Sequence, residues 1–114
     1  MTNSDEYNGW TNRETWALNL WLSNDQGLYE MTQERVRDAM ASHIRTDDPD
    51  KWTVLLRQRA AGEAVKELWD ELTDLDEGLL PADEILRMVK DVWADYRVDW
   101  DEIGRHWLED LDES

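Results

Sequence analysis

The chain of 114 residues contains no cysteine, which excludes disulfides, thiolate nucleophiles and zinc–thiolate sites. Phe is also absent, and there are only two Pro and five Gly, so long helices with few tight turns are favoured. No stretch approaches about eighteen consecutive apolar residues, which predicts no membrane span. Because no apolar run follows the N-terminus, we expect no signal peptide and a cytoplasmic location.

The apolar residues recur at helical rather than alternating spacing, which predicts an all-α fold. A chain of this length is expected to bury roughly two-thirds of its unfolded surface in one domain. We therefore predict a single all-α domain over residues 1–114, a compact bundle of five or six helices around a tryptophan-rich central N-terminal helix. Residues 1–9 are expected to be a flexible tail and residues 110–114 a frayed end.

The first predicted helix, over about residues 12–23, is apolar on most of its circumference, as is typical of a buried helix. Thr11 and Glu14 have the spacing of a capping box at its start. A narrow stripe of polar residues remains, which either faces water or ties the N-terminal segment to the helix. The stripe consists of Asn12, Thr15, Asn19 and Ser23.

The second helix is expected over about residues 28–45, and Asp48 followed by Pro49 marks the start of the third. Gly62 is expected either to kink the third helix or to separate two helices, since glycine weakens a helix interior. The residues expected to face inward are Tyr29, Val36, Met40 and Ile44, then Trp52, Leu55 and Leu56, and then Val65, Leu68, Trp69 and Leu72.

Pro81 is expected to open the next helix, and Asp99 and Glu102 have the spacing of a capping box before the last one. The apolar spacing predicts an inner face for each helix. These faces consist of Ile85, Leu86, Val89, Val92, Trp93 and Tyr96, and of Trp100, Ile103, Trp107 and Leu111.

Basic residues are scarce: twelve Lys and Arg stand against twenty-eight Asp and Glu, a net charge of −16. The imbalance is uneven along the chain. Residues 1–62 hold ten acids and seven bases, net −3, whereas residues 63–114 hold eighteen acids and five bases, net −13. Such charge repels nucleic acid and anionic lipid, so direct binding to either is not expected, and a basic protein surface is the expected partner.

An acidic stripe at helical spacing carries much of this charge, and like charges four residues apart destabilise a helix. Rows of carboxylates on neighbouring helices would imitate the phosphates of DNA, which carries one charge per ~1.7 Å of duplex. The stripe would then occupy the basic groove of a nucleic-acid enzyme or defence complex. The alternative is a solvated acidic face from a salt-adapted proteome. The candidate partner-binding residues are Glu63, Glu67, Asp70, Glu71, Asp74, Glu84, Asp91 and Asp95.

No motif indicates a reaction, so we expect neither catalysis nor a cofactor. His106 has Glu102 and Asp110 one helical turn away on either side, but no second His or Cys accompanies it, and no metal site is predicted. Trp10 precedes the first helix and is either a packing residue or an exposed interface anchor. An aromatic platform for single-stranded nucleic acid is rejected, because no basic groove accompanies the tryptophans.

Two segments carry a resemblance to a known family. Residues 7–16 (YNGWTNRETW) and 18–28 (LNLWLSNDQGL) resemble the N-terminal region of an uncharacterised family of small proteins of phages, plasmids and archaeal elements, and residues 98–108 (VDWDEIGRHWL) resemble its closing segment. The resemblance implies a viral or mobile-element setting, in which small acidic proteins often counter restriction or CRISPR systems. An inhibitor of host defence is therefore expected. The alternative is an acidic helical adaptor, open to homodimer formation, whose charge serves solubility.

Overall fold

A computed structural model describes residues 9–41, 51–92 and 94–113 of the chain. This part forms five α-helices: α1 (Arg13–Asn24), α2 (Gln26–Ala41), α3 (Lys51–Leu72), α4 (Ala82–Asp91) and α5 (Trp100–Glu113). A 3-10 turn, Asp95–Arg97, lies between α4 and α5. The prediction of an all-α bundle is confirmed. Residues 1–8, the predicted helix start at Asp48 and Pro49, and the side chains of Ile44, Trp52 and Trp93 lie outside the described residues.

The most extensive helix pair is α3 with α5, and α2 packs on α3 beside it. The N-terminal helix α1 contacts α2, α4, α5 and the 3-10 turn, so it joins α4 to the rest of the bundle. Leu18 and Leu22 of α1 are fully buried, whereas Trp16 and Trp21 are half-buried against the core. The core itself is aliphatic around two fully buried indoles, Trp69 of α3 and Trp107 of α5.

Helix α3 is continuous over its 22 residues, so the predicted separation into two helices at Gly62 is wrong. Gly62 is buried at the crossing with α5, where an added Cβ would lie 2.1 Å from the carbonyl oxygen of Trp100. Gly104 of α5 makes the reciprocal approach, because its Cβ would lie 2.1 Å from the carbonyl oxygen of Gln58. The two glycines therefore let the backbones of α3 and α5 touch, and this packing outweighs the low helix propensity of Gly.

Asn12, rather than Thr11, caps the start of α1, so the predicted capping box of Thr11 and Glu14 is wrong. The Asn12 side chain accepts a hydrogen bond from the backbone N–H of Thr15 at 2.9 Å. The predicted box at Asp99 forms in one half only. Asp99 Oδ1 accepts from the Glu102 N–H at 3.0 Å, whereas the Glu102 carboxylate bonds elsewhere.

The inner faces of two helices differ from those predicted. Leu55 and Leu56 of α3 are exposed, although Val65, Leu68, Trp69 and Leu72 are buried as expected. Helix α4 buries Ile85 and Met88, and Val92 directly after it is also buried. Leu86 and Val89 of α4 and Tyr96 of the 3-10 turn are exposed. A short helix that rests on one neighbour can bury only one side, and its apolar residues cover more than that width.

Candidate functional site

Three carboxylates of the predicted stripe stand in one row on α3. Glu63, Glu67 and Asp70 are exposed, and their spacing of four and three residues places them on one side of the helix. The row is about 10 Å long at the rise of an α-helix. Within the described ranges, no ion pair involves these three carboxylates. We call Glu63, Glu67 and Asp70 the acidic row.

Glu71 is set apart from the acidic row by an ion pair with Arg35 of α2. Nη2 of Arg35 donates to Oε1 at 3.1 Å while Nη1 donates to Oε2, so the pair is bidentate. The hydrogen bond from Arg35 lowers the pKa of Glu71 below its usual value, and the same bond raises the pKa of Arg35. The charge of Glu71 thus serves to join α2 to α3.

The acidic residues predicted from α4 onwards do not extend the row. Helix α4 packs on α1, whereas α3 packs on α2 and α5, so α3 and α4 do not lie side by side. Asp91 accepts a hydrogen bond from the Trp21 indole at 3.0 Å and lies 3.8 Å from the Arg13 guanidinium. Glu84 is half-buried at the start of α4, and Asp95 is exposed in the 3-10 turn. The eight candidate partner-binding residues therefore do not form one continuous surface.

The connection between α3 and α4 continues the charge of the acidic row. Residues 67–86 contain eight acidic residues and neither Lys nor Arg. Asp74 Oδ1 accepts from the Asp76 N–H at 2.9 Å, and the Asp74 carbonyl accepts from the Glu77 N–H at 3.2 Å, so the chain closes into a turn. All three carboxylates are exposed. Because the C-terminal end of a helix carries partial negative charge, acids at this end of α3 lower its stability.

A buried hydrogen-bond network joins the start of α1 to the segment before α5. Thr15 is fully buried, and its hydroxyl donates to Asn12 Oδ1 at 2.7 Å while accepting the Asp99 N–H at 3.0 Å. Asn12 Nδ2 donates to the carbonyl oxygen of Arg97 at 2.7 Å. We call Asn12, Thr15, Arg97 and Asp99 the clasp. The clasp satisfies polar groups that burial would otherwise leave without partners.

Polar contacts at the surface reinforce the clasp. The Thr11 N–H donates to Glu102 Oε1 at 3.0 Å, and its hydroxyl donates to Asp99 Oδ2 at 3.3 Å. Arg97 lies 3.7 Å from the Glu14 carboxylate. The carboxylates of Glu14, Asp99 and Glu102 are therefore used within the fold and are not candidates for binding a partner.

Sequence reasoning missed the clasp, because its two sides lie more than 80 residues apart. One signal was present: the segments that carry the family resemblance, at the front and the back of the chain, contain Asn12, Thr15 and Asp99, and Arg97 directly precedes the second of them. For the polar stripe of the first helix, the sequence allowed two alternatives, exposure to water or hydrogen bonding to the N-terminal segment. Asn12, Thr15 and Asn19 are buried, and the first two bind the segment before α5.

His106 and the aromatic residues Trp10 and Tyr29 form packing contacts or hydrogen bonds with α5. The rings of Trp10 and His106 lie 5.0 Å apart, so Trp10 packs on α5 and is half-buried. Tyr29 donates its hydroxyl to Asp110 at 2.7 Å, and this bond raises the pKa of Tyr29. Within the described part of the chain, no group of three or more His, Asp or Glu residues is placed to hold a metal ion.

No helix within the described residues has the length and apolar character needed to cross a membrane. The fold and the charge define a small acidic all-α protein with an exposed carboxylate row on α3 and a clasp that joins the start of α1 to the segment before α5. Residues 3–109 match the model of a family of unknown function, DUF7249, and the chain belongs to this family. Comparisons with curated proteins and with solved structures find no match.

Proposed function

We propose that the protein is a non-catalytic inhibitor of a host defence system, of the anti-restriction or anti-CRISPR class, encoded by a phage or other mobile element. The acidic row would occupy a Lys- and Arg-lined groove that otherwise holds nucleic acid. The observation that carries this proposal is the acidic row itself, because its three exposed carboxylates form no ion pair among the described residues, and Arg35 acts on Glu67 only through space.

The dimensions of the row favour imitation of one strand rather than of a duplex. Its carboxylates recur every ~5 Å along α3, at the rise of an α-helix, whereas one DNA strand carries a charge every ~3.4 Å of axis. The duplex has twice the density of a strand, and α4 does not provide a second row beside α3. The proposed inhibitor therefore covers the part of a groove that holds a single phosphate backbone.

The cost of the acidic row to stability also supports a role in binding. Glu63 and Glu67 are four residues apart, and Asp70 lies near the negative end of the helix dipole, so both arrangements weaken α3. The last turn of α3 contains no basic residue that would compensate. Charges that lower stability and form no ion pair in the described part of the chain are suited to an external cationic surface, to which they would also speed association.

The test is a DNA-cleavage assay with a panel of restriction and CRISPR nucleases and purified protein. The triple variant Glu63→Lys, Glu67→Lys, Asp70→Lys should inhibit at least tenfold more weakly, because its lysines would repel the Lys and Arg side chains of the groove. The control variant Glu30→Lys, Glu34→Lys, Glu109→Lys changes the net charge equally at exposed positions of α2 and α5 and should inhibit normally. Excess DNA should relieve inhibition by the wild type.

Two results would overturn the proposal. One is inhibition by the row variant that equals inhibition by the wild type. The other is the absence of inhibition of every nuclease in the panel by the wild-type protein. Circular dichroism of both variants, with helicity equal to that of the wild type, establishes that the comparison concerns folded proteins.

A second candidate function is an acidic helical adaptor of a salt-adapted host, whose charge serves solubility. The observation that favours it is the distribution of further exposed acids, since Glu30 and Glu34 of α2 and Asp101 and Glu109 of α5 lie outside the acidic row. Such a protein should unfold at low salt and require molar salt for its structure. A melting temperature that is equally high in dilute buffer contradicts this candidate.

A further inference from the structure

We propose that two exposed leucines in the connection from α3 to α4 form an apolar anchor for the partner of the acidic row. The anchor consists of Leu75 and Leu79, and its occupant is a basic protein surface that contains an apolar depression. The inference rests on the proposed function, which it deepens: the acids would bring the partner near, and the leucines would hold it.

No described residue covers the two leucines. Leu75 is 60% exposed and Leu79 is 45% exposed, whereas the neighbouring Leu80 packs against the core. The turn from Asp74 to Glu77 is closed by its own hydrogen bonds and needs no apolar side chain at Leu75. The two leucines are four residues apart in one short acidic connection, and exposed apolar groups rimmed by polar residues are a feature of protein interaction sites.

The charge around the anchor selects a basic protein as its occupant. Asp74, Asp76 and Glu77 are exposed beside the leucines, and residues 67–86 include no base. A second copy of the chain would bring the same acids together, since each copy carries a net charge of −16. An anionic lipid surface is repelled for the same reason. A surface with Lys and Arg around an apolar centre complements both features of the anchor.

The test uses two synthetic helical peptides as probes, one of Lys and Leu with an apolar face, and one in which Ser replaces every Leu. The wild-type protein should bind the Lys/Leu peptide more tightly than the equally charged Lys/Ser peptide in calorimetric titration. The variant Leu75→Ser, Leu79→Ser should bind the Lys/Leu peptide more weakly, by roughly tenfold for each leucine removed. Its affinity for the Lys/Ser peptide should not change.

A matched control is the variant Leu86→Ser, Val89→Ser, which removes two exposed apolar side chains of α4 and should retain the affinity of the wild type for the Lys/Leu peptide. Three outcomes would overturn the proposal. They are equal affinity of the Lys/Leu peptide for wild-type and anchor-variant protein, a homodimer that the anchor variant loses, and leucine-dependent binding to phosphatidylcholine vesicles in place of the peptide.

Failure of this inference and failure of the proposed function give different results. If the nuclease assay depends on the acidic row but the anchor variant inhibits and binds peptide normally, the anchor is wrong and the inhibitor proposal stands. If the row variant inhibits as well as the wild type, the inhibitor proposal fails, whatever the peptides show.

Discussion

Gly104 of α5 faces Gly62 of α3 so closely that a Cβ on Gly104 would lie 2.6 Å from the backbone nitrogen of Gly62. No side chain fits between the two backbones, and the distance between the helices is set by this contact. The acidic row begins at Glu63, one residue after the crossing. The crossing therefore fixes the helix on which the row stands, even though neither glycine belongs to the row.

Gly62→Ala should destabilise the protein by about 2 kcal/mol or more, although Ala favours a helix, because its Cβ meets backbone that cannot move aside. Gly104→Ala should behave in the same way. Gly27→Ala is the comparison: its Cβ would meet no backbone and only Asp25 Oδ1 at 3.2 Å, the oxygen that accepts the Leu28 N–H at the start of α2, so its loss should be smaller. Urea denaturation followed by tryptophan fluorescence measures all three. Equal stability of Gly62→Ala and the wild type contradicts the close crossing.

Thr15→Val tests the clasp, because valine has the shape of threonine without its hydroxyl. The change removes one donor and leaves the Asp99 N–H without its acceptor, so the expected loss is about 1–3 kcal/mol. Thr73→Val is the control: the Thr73 hydroxyl donates to the carbonyl of Trp69, and its removal leaves no donor unpaired. Chemical denaturation of the two variants should show the larger loss at Thr15, and the reverse order argues against the clasp.

The ion pair of Arg35 and Glu71 should make stability depend on pH in acid. The pKa of Glu71 is lowered in the folded state, so its contribution is present above the ordinary value of 4.5 and is lost as pH falls through the lowered value. The wild type should be more stable than Glu71→Gln at pH 7, and the difference should shrink in acid. Glu63→Gln serves as the control, because Glu63 is exposed on the same helix and forms no ion pair among the described residues. Melting temperatures of the wild type and Glu71→Gln, measured from pH 7 downwards, give the difference in stability. A difference that does not change with pH would contradict the prediction.

Asp70→Lys should raise the melting temperature at low salt by roughly 2 °C, because a cation near the end of α3 complements the helix dipole. The gain should fade at high salt, where charges are screened. Glu71→Lys should lower the melting temperature, since it places a second cation against Arg35. Calorimetry at low and high salt distinguishes the two. A destabilised Asp70→Lys protein would mean that Asp70 supports the fold.

The starts of two helices were predicted correctly, because capping depends on residues within one helical turn of each other. Pro81 precedes α4 and Asp99 caps α5, as their capping chemistry indicated. The buried faces of the helices were predicted less well. Periodicity shows which apolar residues share one side of a helix, but it does not show how much of that side a neighbouring helix covers. Leu55, Leu56 and Leu86 are exposed for this reason. The separation of Glu71 from the rest of the acidic stripe has a similar cause, since its pairing with Arg35 depends on where α2 lies.

The amino-acid sequence by itself determined an all-α protein with a strongly negative second half, because helix spacing, capping and net charge are properties of neighbouring residues. Only the tertiary structure decided that Gly62 lies at a helix crossing and not at a break, and that Asn12 and Thr15 bind the segment before α5. It also decided that three carboxylates of α3 form no ion pair with any other described residue. These outcomes depend on which helices meet, and the meeting residues are separated by tens of positions. The identity of each residue does not indicate which distant residue it will contact in the folded protein.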